Sequence, residues 1–150
     1  MTDYQQLQKE LAALVEGVPY PIANLANASA LIFQMMEDLN WAGFYLREGE
    51  RLILGPFQGK PACIRLSFGK GVCGTAAKED RTVLVEDVHV FPGHIACDGA
   101  SNSEIVVPIH QNGTVYGVLD LDSPVFSRFT PEDAAGLEGA VRILEKALNS

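Results

Sequence analysis

The chain has 150 residues, 47% of them hydrophobic and 20% charged, which supplies apolar material for a single packed core and points to one domain spanning residues 1–150. Nineteen acidic residues against eleven Lys plus Arg leave a formal charge of −8, and with no basic cluster to follow a phosphate backbone, nucleic acid is not expected as a partner. No run reaches the ~18 consecutive apolar residues of a membrane span, and "MTDYQQLQKE" lacks the basic-then-apolar layout of a signal peptide, so the expected location is the cytoplasm, away from any membrane.

Residues 4–14 read as a short helix, and residues 22–39 as a second one, with Leu25, Ala28, Ile32, Met35 and Leu39 at helical spacing. At Asn40 the period changes. "WAGFYL", "RLILGPFQ", "PACIRLSF", "RTVLV", "SEIVVPI" and "TVYGVLDLD" read as six strands separated by Gly, Pro, Asn or Asp. Between the third and fourth, "GKGVCGTAAKED" suits a short helix approached through glycines. It resembles a phosphate loop only loosely, because the G-x-x-x-x-G-K-[ST] order is missing. The chain closes on a helix that Thr130 can cap, with Pro131 at its first position, Asp133 completing a box-like start, and Leu137, Val141, Leu144 and Leu148 along one stripe. Helices at both ends of a strand run predict an α+β fold, a six-stranded antiparallel sheet flanked by N- and C-terminal helices.

Residues 86–102 show no periodicity, yet contain His89, His94 and Cys97. Loops beyond ~12–15 residues in a compact domain are usually functional or disordered. Phe91, Pro92 and Ile95 predict that this one is ordered and docked.

Alternation in "WAGFYL" puts Trp41, Gly43 and Tyr45 on one face and Ala42, Phe44 and Leu46 on the other. In "PACIRLSF", Cys63, Arg65 and Ser67 share a polar side, opposite Ala62, Ile64, Leu66 and Phe68. The hairpin over "IHQNGTV" is decided by register. A two-residue turn at Asn112 and Gly113 sets Ile105 against Asp120 and Glu104 against Leu121, mixing charge into the buried face. A three-residue loop over 111–113, with Gly113 left-handed, is therefore expected. It pairs Ile105 with Leu119, Ile109 with Val115 and Glu104 with Asp120, with Asp122 two residues along. Glu104, Asp120 and Asp122 then form a three-carboxylate cluster on one side of the sheet. Like charges that close raise at least one pKa, so one carboxyl can act as a proton donor while the ionised ones hold a cation such as an ammonium group. The alternative for these acids is a solvated sheet face.

An odd count of three cysteines argues against a structural disulfide framework and leaves inert thiols, metal ligands or redox chemistry. Cys73 best fits an inert buried thiol, and Cys97, among polar and flexible neighbours, fits it worst. A metal site on Cys63, Cys73, Cys97 and a histidine matches no standard zinc spacing, so no metal and no cofactor are expected. His89 and His94 are open to either catalytic or structural roles, and Trp41 and Tyr45 to either site or core roles.

"NWAGFYL", "LGPFQGKPACIRLSFGKGVCGTAA", "DVHVFPGHIACD", "SEIVVPI" and "GVLDLDSP" together resemble the free methionine-(R)-sulfoxide reductases, whose fold is a GAF domain. The likeness spans residues 40–129 and includes all three cysteines in order and spacing. It implies reduction of the R epimer of free methionine sulfoxide, a thiol mechanism recycled by thioredoxin, and a homodimer. It further implies Cys97 as nucleophile, Cys63 as resolving cysteine and Cys73 as a third cysteine of the set. Trp41 and Tyr45 would hold the substrate methyl group, and Glu104, Asp120 and Asp122 its polar groups. On that reading a protonated acid makes the sulfoxide sulfur electrophilic, Cys97 becomes a sulfenic acid, and Cys63 condenses with it. The rival is a non-catalytic GAF module that binds a small ligand or senses redox state. The absence of a second, output domain within the 150 residues favours the enzyme.

Overall fold

The computed structural model describes residues 1–149. In chain order it contains α1 (Tyr4–Val15), α2 (Pro21–Met35), β1 (Trp41–Glu48), β2 (Arg51–Gly59), β3 (Arg65–Ser67), α3 (Gly71–Glu79), β4 (Val83–Val85), a 3-10 turn (Val88–Val90), β5 (Ser103–Gln111), β6 (Thr114–Ser123) and α4 (Pro131–Leu148). The six strands form one antiparallel sheet in the order β3-β2-β1-β6-β5-β4.

The terminal helices form for local reasons. Asp3 caps α1 by accepting from the Gln6 amide, and Leu7, Leu11 and Val15 recur every fourth residue to give it a buried stripe. Thr130 and Asp133 close a reciprocal capping box on α4, with Pro131 in the first turn where its missing N–H costs nothing. The Asp133 carboxylate also takes the Tyr4 hydroxyl at 2.6 Å, which ties α4 to α1. Helix α2 stops at Met35, four residues short of the expected end, because Met36 turns extended and Asp38 adopts a left-handed conformation to swing the chain into β1. Leu39 nevertheless packs on the same core.

Helices α1, α2 and α4 all cover one face of the sheet, around Ala42, Phe44, Ile105, Ile109, Leu119 and Leu121. Each large apolar side chain fully buried there contributes ~1.5–3 kcal/mol relative to exposure. The opposite face carries Trp41, Tyr45, Val106 and Val118 and is covered by α3 and the 86–102 segment. One sheet face is thus a plain hydrophobic core, and the other is left to a short helix and a loop.

Two strand expectations change. The third strand is only Arg65–Ser67, so Cys63 lies ahead of it in irregular chain, and Ile64 is 60% exposed where alternation had placed it with buried Leu66. The hairpin has the two-residue turn, with Asn112 and Gly113 both at positive φ (54° and 79°) as a type I′ turn requires. A bulge rescues the faces. Beyond the pairs Gln111 with Thr114 and His110 with Val115, Tyr116 stands opposite no residue, and Ile109 pairs with Gly117. Ile105 therefore meets Leu121, and Glu104 meets Asp122 instead of Asp120. The expected partner is displaced by two residues, which leaves Ile105, Leu121 and the three acids on their expected faces, while at the tip Val115 and Tyr116 exchange faces, Val115 joining the Trp41 side and Tyr116 the helix-covered core.

Candidate functional site

Register builds the site in rows. Trp41 on β1 is aligned with Asp122 on β6, and Asp122 with Glu104 on β5. In the next row Gly43 is aligned with Asp120, and in the next Tyr45 with Val118. Because alternate residues share a face, two aromatics and three acids project together toward α3. They line one cavity with Cys73, Cys97, His94 and Lys70. Its volume is about 40 Å³, room for about three waters at ~10–15 Å³ each.

The aromatic wall is rigid. Trp41 stacks on Phe57 with centroids 5.2 Å apart and on Tyr45 at 5.8 Å, and its Nε1 donates to the Lys60 carbonyl. Phe57 can sit this close because residue 43 is glycine: a Cβ there would come within 2.2 Å of the Phe57 Cβ. Trp41 and Tyr45 are each only 2% exposed. Burial, then the nearby Asp120, raises the Tyr45 hydroxyl pKa, so it stays a donor, and it bonds the Cys63 carbonyl oxygen at 2.8 Å.

At the acidic end, Glu104 and Asp120 are 7% and 5% exposed. Burial, followed by repulsion from Asp120 and Asp122, pushes the Glu104 carboxyl well above the usual range. Asp122 is raised by burial and then by Asp120. Asp120 is raised by burial too, but hydrogen bonds from Glu104 and Cys73 oppose the shift. All three carboxyls are thus pushed toward the protonated form, Asp120 the least, because hydrogen bonds favour its charged form. One buried oxygen, Asp120 Oδ1, has no hydrogen-bond partner.

Cysteines occupy two different environments. Cys73, in the first turn of α3, is 4% exposed, and its thiol is held protonated by burial first and by Asp120 and Glu104 next. Its Sγ lies 3.9 Å from Glu104 Oε2, and donor atoms of Cys73, Glu104 and Asp120 all fall within 4.8 Å of one another. Cys97 faces the cavity and is disulfide-bonded to Cys63, with Cα atoms 5.5 Å apart across a separation of 34 residues. While that bond is formed, neither sulfur is a thiolate free to hold a metal.

The 86–102 segment is docked, Ile95 lying over Gly71 at the cavity although 40% exposed, whereas Pro92 is exposed. Val88 is fully buried, Phe91 half-buried, and Asp87 caps the 3-10 turn through the His89 amide. His89 Nε2 pairs with Asn102 Oδ1 at 2.9 Å, a structural use. Asp98 accepts from the Ala100 amide and from Asn40 Nδ2, bonds that lower its pKa and staple the residue after Cys97 to the start of β1. His94 lines the cavity with its pKa lowered by burial and then by His89, so it is a neutral neighbour of Cys97.

Sequence reading missed Phe57, Lys70 and Asn40. Lys70 precedes α3 and lines the cavity, so a cationic residue and the free amides of a helix N-terminus border the same cavity as the acids. The glycines around "GKGVCGT" were a signal for this: Gly71 has φ +67°, and a Cβ on Gly74 would meet the Ser67 carbonyl at 2.3 Å. An amino acid's ammonium and carboxylate both find complementary charge here, and a thiol stands beside them.

The chain matches the GAF domain over residues 10–148. It is 54% identical over 145 residues to the free methionine-R-sulfoxide reductase of Escherichia coli, an alignment covering 97% of this chain and 88% of that protein. Its fold superposes on fRMsr of Staphylococcus aureus in the reduced form with a TM-score of 0.96 at 53% identity, covering 99% of this chain and 96% of the other. The same S. aureus protein in complex with its substrate gives 0.95 at 52% identity, covering 99% and 97%.

Proposed function

Because the chain belongs to the GAF-domain family and, within it, to the free methionine-R-sulfoxide reductases, we propose that it reduces free L-methionine (R)-S-oxide to methionine with its own thiols. The observation that carries this reading is the cavity where Cys97 meets Trp41 and three acids, two of them buried, with Cys97 already bonded to a second cysteine.

The chemistry follows from the groups present. Trp41 and Tyr45 form an apolar wall for the substrate's S-methyl group. Asp120, which keeps its charge most readily, receives the ammonium group, and Lys70 with the α3 amides receives the carboxylate. Glu104 supplies a proton to the sulfoxide oxygen, since its raised pKa keeps it neutral where most carboxyls are ionised. Cys97 attacks, methionine departs, and the oxygen stays on Cys97 as a sulfenic acid. The Cys63 thiol then displaces that oxygen as water, giving the Cys63–Cys97 disulfide. Cys73, a protonated thiol buried beside the acids, serves as a donor that steadies them.

With the disulfide closed, the Cys97 sulfur is bonded to Cys63 and cannot attack, so reduction must precede the next turnover. Thioredoxin, a dithiol that exchanges with such bonds, is the proposed reductant. A bond made and broken in each cycle suits the cytoplasm, and the family's homodimer is proposed as the working assembly. Among the described residues no helix is long and apolar enough to cross a membrane.

The test is an R/S mixture of free methionine sulfoxide with a thiol reductant, supplied to the wild type and to Cys97→Ser. Consumption of the R epimer alone, abolished by the substitution, is expected. If neither epimer is consumed, or Cys97→Ser keeps full activity, the reading fails, and a non-catalytic ligand-binding module replaces it.

A further inference from the structure

We propose that Cys73, Glu104 and Asp120 form a site for a thiophilic divalent cation, zinc by its chemistry, and that the metal competes with substrate for the acidic end of the cavity. The site itself stands apart from the catalytic reading; only the competition rests on it.

Three donors come from three elements whose backbones are fixed: Cys73 from α3, Glu104 from β5 and Asp120 from β6. Their ligand atoms lie within 4.8 Å of one another, and the sulfur is 3.9 Å from Glu104 Oε2. Zinc bonds of about 2.3 Å to sulfur and ~2.0–2.2 Å to oxygen place tetrahedral ligands about 3.5 Å apart, within reach of small side-chain rotations. Asp120 lines the cavity, and its buried Oδ1 has no hydrogen-bond partner, an acceptor that a bound cation would satisfy. One thiolate with two carboxylates is a borderline set that zinc accepts. Magnesium, which wants near-octahedral oxygen and holds its waters, does not suit it. The cavity side is left open for a fourth ligand. Spacing could not reveal this set, because its members are 31 and 47 positions from Cys73 in the sequence.

Binding displaces the Cys73 thiol proton and that of Glu104, so affinity rises with pH. An occupied site has no proton on Glu104 and no free charge on Asp120, which removes the proposed seat of the ammonium group.

Isothermal titration of zinc into the reduced double variant Cys63→Ser/Cys97→Ser tests this with the redox pair removed and no turnover. One zinc per chain is expected, weakened about 100-fold by adding Cys73→Ser and about tenfold by adding Asp120→Asn. Cobalt in place of zinc on the same double variant should show a thiolate-to-metal charge-transfer band, a readout independent of whether the added substitutions fold. Absence of binding, or binding without that band, overturns the proposal. So does zinc that binds the wild type but not the double variant. Free methionine (R)-sulfoxide should raise the apparent Kd for zinc. Binding that follows the Cys73 and Asp120 substitutions but ignores the sulfoxide supports the metal site and overturns the competition, together with the substrate's proposed seat.

Discussion

The Tyr45 hydroxyl donates to the carbonyl oxygen of Cys63 at 2.8 Å, so the aromatic wall of the cavity and one half of the disulfide are mechanically joined. Cys63 has no strand ladder of its own, since β3 begins two residues later. This bond is what positions it for Cys97.

Tyr45→Phe keeps the ring and removes that bond. A hydrogen bond of ~1 kcal/mol corresponds to about fivefold in rate. Disulfide formation after one turnover should slow by about that factor, with methionine release changed by less than about twofold. Rapid-quench measurement of both steps separates them, and equal slowing of the two would show that the hydroxyl acts on the substrate instead.

Glu104→Gln retains size and neutrality but cannot give a proton. A drop in kcat of about 10²–10⁴-fold is expected, the usual range for a lost general acid. In the wild type, the protonated form of Glu104 is the active one, so activity should fall as pH rises through its raised pKa. The variant should lack that alkaline limb in its pH–rate profile.

Asp122→Asn should trade function for stability. The folded-state pKa of Asp122 is raised, so between the ordinary carboxyl value and that raised value the unfolded chain ionises while the folded one does not, and stability falls as pH rises. Removing the carboxyl removes this loss. The variant should melt higher at pH 8, by about 2–4 °C for each ~1 kcal/mol relieved, show little gain near pH 3, and bind substrate more weakly. Thermal melts at both pH values read the difference.

His110 sits between Asp80 at the end of α3, at 2.6 Å, and Glu145 on α4, at 2.9 Å. Burial works against its charge, but the two carboxylates outweigh it and raise its pKa. Its contribution is therefore present below the unfolded value near 6.5 and lost as pH rises through the raised folded one. Urea unfolding of wild type and His110→Gln should differ at pH 6 and converge at alkaline pH. A constant difference would assign the effect to packing.

Legibility followed distance along the chain. The box at Thr130 and Asp133, the stripes on α1 and α4, and the aromatic face of "WAGFYL" depend on residues a few positions apart, and local rules reached them. The three acids were placed on one face because alternation has period two, and a register displaced by two residues keeps that parity. The hairpin itself was misread: the unpaired Tyr116 restores the faces that the two-residue turn alone would have scrambled, and a bulge leaves no residue signature in "TVYGVLD". Phe57 under Gly43 and Asn40 on Asp98 join segments far apart, so no spacing rule could pair them.

By itself the sequence determined most of the elements, the α+β class, the faces of the central strands and, through its motifs, the family, since each rests on short-range periodicity or on ordered residue strings. Only the tertiary structure decided that Cys97 is bonded to Cys63 and that Cys73 lies against Glu104. It also decided that burial raises all three carboxyls while hydrogen bonds hold Asp120 back from the others. A carboxyl's proton is set by burial and by neighbours within a few ångströms, and those are supplied by strand order and helix packing.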